Sequence, residues 1–149
     1  MAKESIKLAG QSGLAIAASV EGASDGMPVI LAHGGGQTHR AWKRVSTLLA
    51  SHGFHAIALD LRGHGNSEWA KDGAYDIADF AGDLIAIAAR LERKPALIGA
   101  SLGGLAGLMV ETVLAPRTFS SLTLVDITAR MEVSGVAKIM GFMGANLQD

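Results

Sequence analysis

Cysteine is absent from this chain, which excludes disulfides and thiolate chemistry and leaves the redox compartment undetermined. An excess of charge is absent too. Thirteen Lys and Arg against fourteen Asp and Glu leave a formal net charge of −1, so there is no electrostatic case for nucleic acid or an anionic membrane surface. Long apolar runs are missing: none approaches the roughly 18 residues of a membrane span. Residues 13–20 are apolar, but the run is short, and Lys3, Glu4 and Lys7 before it make a poor signal-peptide start. The expectation is a soluble cytoplasmic protein. Nucleotide-binding loops are missing as well. The glycines at 99–104 are spaced G-x-x-x-G-G rather than G-x-G-x-x-G, and no G-K-[ST] occurs. His33 and His64 lack a third convergent ligand, which favours hydrogen-bonded loop histidines over a metal site. No metal and no organic cofactor is expected.

What is present suits one ordinary domain: 149 residues, 49% of them hydrophobic, are enough for a real core. Ser5–Ala9 and Leu14–Val20 read as two strands around Gly10–Gly13, an opening hairpin. Pro28–Ala32 is a buried-type strand that runs into His33-Gly34-Gly35-Gly36. Thr38 is a helix N-cap candidate, and Ala41, Trp42, Val45, Leu48 and Leu49 follow at helical spacing up to Gly53. Phe54–Leu59 is another strand, leading into Asp60-Leu61-Arg62-Gly63-His64-Gly65-Asn66-Ser67. Ile77, Phe80, Ala81, Leu84, Ala88 and Leu91 mark a second amphipathic helix. Pro95–Ala100 is a strand, Leu102 to about Ala115 a helix, and Leu122–Val125 a last strand ending at Asp126. Trp42 and Phe80 fall on apolar helix faces and read as core.

From Pro28 onward strands and helices alternate, which predicts an α/β fold with a mostly parallel, doubly wound sheet behind the antiparallel hairpin. The strands are near-continuous apolar runs, as in sheets buried on both faces. Beyond them, Val136, Ile139, Met140 and Met143 form an apolar helical stripe weakened by Gly135, Gly141 and Gly144.

The chemistry centres on Gly99-Ala100-Ser101-Leu102-Gly103, a G-x-S-x-G between a strand and a helix. A serine at so tight a turn takes a strained backbone conformation, and side chains two positions away on either side would collide, so glycine is needed there. The turn lifts the hydroxyl clear of the sheet at a helix N-terminus, where the Leu102 N–H can donate to a developing oxyanion.

Three motifs at strand ends then coincide: HGGG at 33–36, DLRGHGNS at 60–67 and GASLGG at 99–104. Together they resemble the N-terminal half of the α/β-hydrolase fold, over about residues 5–130, in the branch of non-haem haloperoxidases, enol-lactonases and related esterases. Epoxide hydrolases and haloalkane dehalogenases share these loops but carry Asp at the elbow, and Ser101 argues against both. The resemblance implies Ser101 as nucleophile, with the backbone N–H groups of Leu102 and Gly35 as oxyanion donors. The substrate it implies is a small ester, lactone or similar acyl compound. DLRGHGNS is architectural in the family and carries no chemistry.

The family's triad runs Ser, then Asp or Glu, then His. Here all five histidines, at 33, 39, 52, 55 and 64, precede Ser101. Asp126 stands where some members place the triad acid and others a structural Asp, and both roles stay open. The expectation is a truncated fold that lacks the last strands and most of the cap, with a core over 1–130 and the start of a cap over 131–149. Met131, Met140 and Met143 then either line a substrate entrance or lie buried beneath a cap. Without a general base, the chain alone is expected to be nearly inactive. The alternative is a non-catalytic half-domain that associates through an exposed sheet edge.

Overall fold

The computed structural model describes residues 3–126. Six strands, β1 (Glu4–Ala9), β2 (Ala15–Glu21), β3 (Pro28–Ala32), β4 (His55–Leu59), β5 (Ala96–Ala100) and β6 (Ser121–Val125), form one sheet. Their order is β1-β2-β4-β3-β5-β6. β1 pairs antiparallel with β2, and β2 antiparallel with β4, while β4, β3, β5 and β6 run parallel. Three α-helices connect the parallel strands: α1 (Lys43–Ser51), α2 (Ile77–Ala89) and α3 (Leu102–Met109). This is the doubly wound sheet with an opening hairpin that the strand–helix alternation predicts. The expected cap segment 131–149, its apolar stripe and Met131, Met140 and Met143 lie outside the described residues.

The burial pattern explains the apolar runs. Alternate residues of a strand face opposite ways, so β3 needs apolar side chains at every position once both faces are covered. Ile30 and Ala32 pack with Phe80, Leu84, Leu102 and Ala106 of α2 and α3, while Val29 and Leu31 pack on the other face with Trp42, Val45 and Leu49. Phe80, Leu84 and Ile87 are almost wholly buried, and each such side chain contributes roughly 1.5–3 kcal/mol through removal from water. The α2 N-terminus is held by Asp79, whose carboxylate accepts from the Asp76 N–H at 3.0 Å.

Two expectations are corrected, and at β6 the structure agrees with the alternative of an exposed sheet edge. Leu48, placed by helical spacing on the apolar face of α1, is 61% exposed; the buried face of α1 runs through Val45, Ser46 and Leu49, and Leu48 lies roughly 100° round the helix from Leu49, on its solvent side. The third helix does not run on uniformly to Ala115, since α3 gives way to a π-helical turn at Val110–Leu114. β6 is not buried on both sides. Ser121, Thr123 and Val125 are exposed, alternating with half-buried Leu122 and Leu124, because β6 is the edge strand and among the described residues only its α3 side is packed.

Candidate active site

Ser101 sits between the end of β5 and the first turn of α3, with φ +47° and ψ −111°. A positive φ is unfavourable for any residue with a Cβ and persists only where the surroundings impose it. Here they do. A Cβ at Gly99 would lie 2.6 Å from the Gly104 nitrogen, and one at Gly103 would fall on the Ala32 carbonyl, so both glycines of the G-x-S-x-G motif are sterically required. Hydrogen bonds complete the bend. Ser101 N–H donates to the Val125 carbonyl (3.2 Å), Gly103 N–H to the His33 carbonyl (3.1 Å), and Leu105 N–H to the Ser101 carbonyl (2.9 Å). The elbow is thereby tied to the ends of β3 and β6.

Ser101 lines a cavity of about 410 Å³ together with Gly34, Gly35, Gln37, Trp42 and Asp126. The cavity lies at the carboxyl ends of β3, β5 and β6, where open α/β sheets bind their ligands. Gly34 makes the close approach: a Cβ there would be 3.4 Å from that of Ser101. Most amides of the glycine run are already engaged. Gly34 N–H donates to Gln37 Oε1 (3.0 Å), Gly36 N–H to His64 Nε2 (3.0 Å), and Gln37 N–H to the Gly34 carbonyl (3.2 Å). Among the described residues, Gly35 N–H meets no acceptor. Nor does Leu102 N–H, which opens α3 and so has no intrahelical partner. Asp126, with φ +58°, is exposed just after β6 at the same cavity.

The loop after β4 is cross-linked rather than open. Asp60 Oδ1 accepts from the backbone (2.7 Å) and Nδ1 (2.8 Å) of His39, and Oδ2 from Asn66 N–H (3.0 Å). Burial works to raise the Asp60 pKa, but these bonds outweigh it and hold the carboxyl below its ordinary value. Arg62 and Asp83 form a buried bidentate ion pair, at 2.7 and 2.8 Å, that pins the loop to α2, and the bonded carboxylate raises the guanidinium's pKa. His33 and His64 act as reciprocal struts. His33 Nδ1–H donates to the Gly34 carbonyl (2.7 Å) while Nε2 accepts from Leu61 N–H (3.0 Å). His64 Nδ1–H donates to the Arg62 carbonyl (2.9 Å) and Nε2 accepts from Gly36 N–H. Burial lowers the His33 pKa to about 4, so its imidazole is neutral.

Both histidines thus use both ring nitrogens on backbone groups, and none of the five lines the Ser101 cavity. Among the described residues no cluster of three or more His, Cys, Asp or Glu stands ready to hold a metal ion. Sequence reasoning missed Gln37 as a cavity residue and saw Trp42 only as core. Trp42 is indeed buried, yet it also walls the cavity, and its indole N–H finds no hydrogen-bond partner among the described residues. No local signal marks either residue, because the chain returns to the elbow only through the β3–β5 pairing.

The profile of the alpha/beta hydrolase family matches residues 29–147. An esterase of Mycobacterium tuberculosis is 38% identical over 103 residues, 67% of this chain and 33% of its own length. A non-heme chloroperoxidase of Streptomyces lividans is 37% identical over 84 residues, 56% of this chain and 30% of its own. Among solved structures, an alpha/beta hydrolase from Novosphingobium aromaticivorans superposes with a TM-score of 0.79 at 27% identity, covering 95% of this chain and 50% of that one. The chain therefore spans about a third of these curated relatives and half of the solved structure. No helix among the described residues is long and apolar enough to cross a membrane. With its elbow, its strand order and these likenesses taken together, the chain belongs to the alpha/beta hydrolase family, in the branch that holds haloperoxidases and esterases.

Proposed function

We propose that this chain supplies the nucleophile and oxyanion hole of a serine hydrolase acting on a small ester, lactone or similar acyl compound. The observation that carries the reading is Ser101 at its forced positive φ, sharing a cavity with Gly35 and adjoining Leu102, whose N–H groups meet no acceptor among the described residues. Ser101 Oγ would attack the acyl carbon while its proton passes to a base. The carbonyl oxygen, now negative, would accept from the N–H groups of Gly35 and Leu102. Collapse would expel the alcohol and leave an acyl-serine for water to hydrolyse. The esterase named among the relatives supports the substrate class.

Asp126 is assigned the triad acid's place, because it is the carboxylate lining the same cavity. This reading takes its base from none of the five histidines, since none lines the Ser101 cavity; His33 and His64 are committed to backbone groups and His39 to Asp60. On this reading the chain alone turns over acyl substrates several orders of magnitude below a complete triad. Fluorophosphonate labelling of the protein at its natural length is the test. One label on Ser101, lost in Ser101→Ala, is expected, and a folded protein left unlabelled overturns the reading.

A second reading rests on the β6 edge, where Ser121, Thr123 and Val125 are exposed among the described residues. On this reading the edge pairs with a second copy of the chain. Light scattering on chain 1–149 is then expected to give a dimer, and a monomer at high concentration rejects it.

A further inference from the structure

A run of three glycines has no side chains to decide which of its amides faces a substrate, since each residue can rotate through conformations closed to others. Something outside the run must decide it. We propose that Gln37 and His64 are positioning residues of this site. Each holds the backbone N–H on one side of Gly35, so that within the glycine run Gly35 N–H is the one left to join Leu102 N–H at a developing oxyanion. The inference rests on the oxyanion reading of Gly35 given above and adds the residues that set it.

The two contacts bracket Gly35. Gln37 Oε1 accepts from Gly34 N–H and His64 Nε2 from Gly36 N–H, both at 3.0 Å. Neither acceptor is free to swing. The Gln37 backbone closes a turn onto the Gly34 carbonyl at 3.2 Å, which keeps its side chain over the loop. His64 is almost fully buried, and its Nδ1–H is bound to the Arg62 carbonyl at 2.9 Å, so the Nε2 lone pair is what it offers Gly36. Arg62 is in turn clamped to Asp83 on α2. A rigid path therefore runs from α2 through Arg62 and His64 to the glycine run. A flip of the peptide that carries Gly36 N–H would strand His64 Nε2 as a buried acceptor without a donor, which opposes the flip. This gives the loop after β4, architectural by motif, a part in the reaction without contact to substrate.

The test uses the full chain in solution, 15N-labelled, with phenylboronic acid as probe. Boron accepts the Ser101 Oγ lone pair as the hydroxyl proton leaves to buffer, giving a tetrahedral adduct whose oxygen stands where the oxyanion forms. Forming it at equilibrium needs no histidine base. A through-hydrogen-bond N–N coupling between Gly36 N and His64 Nε2 is expected in the wild type. His64→Leu and Gln37→Met are each expected to weaken the probe about tenfold, a part of what losing an oxyanion donor outright costs. His64→Gln, which returns an acceptor, recovers most of the loss. Gln37 is exposed, so its variant folds even if His64→Leu does not. Folded variants that bind the probe as the wild type does, or a wild type without the coupling, overturn the proposal. An adduct on Ser101 that leaves the Gly35 amide resonance unmoved overturns the oxyanion reading instead. Should the wild type form no adduct, the Gly35 N–H residual dipolar coupling decides: a change in both variants supports positioning, and no change rejects it.

Discussion

The loop after β4 and the elbow after β5 meet across the glycine run, yet they use their polar groups in opposite ways. In residues 60–67 the side chains of Asp60, Arg62, His64 and Ser67 are all buried, and all are bound to partners inside the protein. At the elbow, the Ser101 backbone is held in an unfavourable conformation while the Gly35 and Leu102 N–H groups meet no acceptor among the described residues. A loop whose hydrogen-bonding capacity is satisfied internally is a brace. One that keeps strain and spare donors has something left for a ligand.

The contrast can be broken most severely at its braced end. Asp83→Asn leaves the buried Arg62 guanidinium without its counter-charge and is expected to destabilise the fold by about 3–5 kcal/mol in urea denaturation. Replacing both partners, Arg62→Met with Asp83→Leu, is expected to recover most of that loss. A single variant as stable as the wild type shows that the pair is not a brace.

The next effect depends on pH and acts where the two loops join. His33 is neutral in the fold down to about pH 4, whereas in the unfolded chain it takes up a proton near its ordinary 6.5. Between those values the unfolded state binds the extra proton. This contribution is therefore complete above pH 6.5 and is lost as the pH falls towards 4, by about 3 kcal/mol in all. Urea midpoints across that window are expected to drop with acid, and to drop less in His33→Asn. A flat wild-type profile removes His33 from the brace.

The smallest effect is at the elbow and has the opposite sign. Ser101→Gly relieves the positive φ and is expected to stabilise the protein by about 1 kcal/mol, net of the entropy glycine adds to the unfolded chain. A destabilised variant shows that the elbow stores no strain.

Much of this was legible before any coordinates. The β3 residues 28–32 are apolar at every position because both faces are covered, and the strand–helix alternation carried the sheet's parallel sense. Gly99 was legible as a required glycine because the collision it avoids, with the Gly103–Gly104 backbone, is local to the bend, whereas the collision at Gly103 is with Ala32 of β3 and exists only once the sheet is formed. Leu48 was misread because an apolar side chain was counted to the buried face, when that face of α1 runs through Val45, the polar Ser46 and Leu49. The apolar run of β6 does not by itself say whether a strand is central or at an edge, and the strand order places it at the edge, in agreement with the alternative of an exposed sheet edge.

By itself, then, the amino-acid order determined what short-range sterics and periodicity can determine: the elements, the bend at Ser101 and the residue types that tolerate it. Which amides of the glycine run are occupied, that Trp42 and Gln37 share a cavity with Ser101, and that His33 and His64 serve as struts were decided only by the tertiary structure. The long-range ones among those contacts join residues as far apart in the chain as Gly34 and Ser101, through the pairing of β3 with β4 and β5. Nothing in the local sequence encodes which distant group a buried imidazole or amide will find, because that choice follows from strand order.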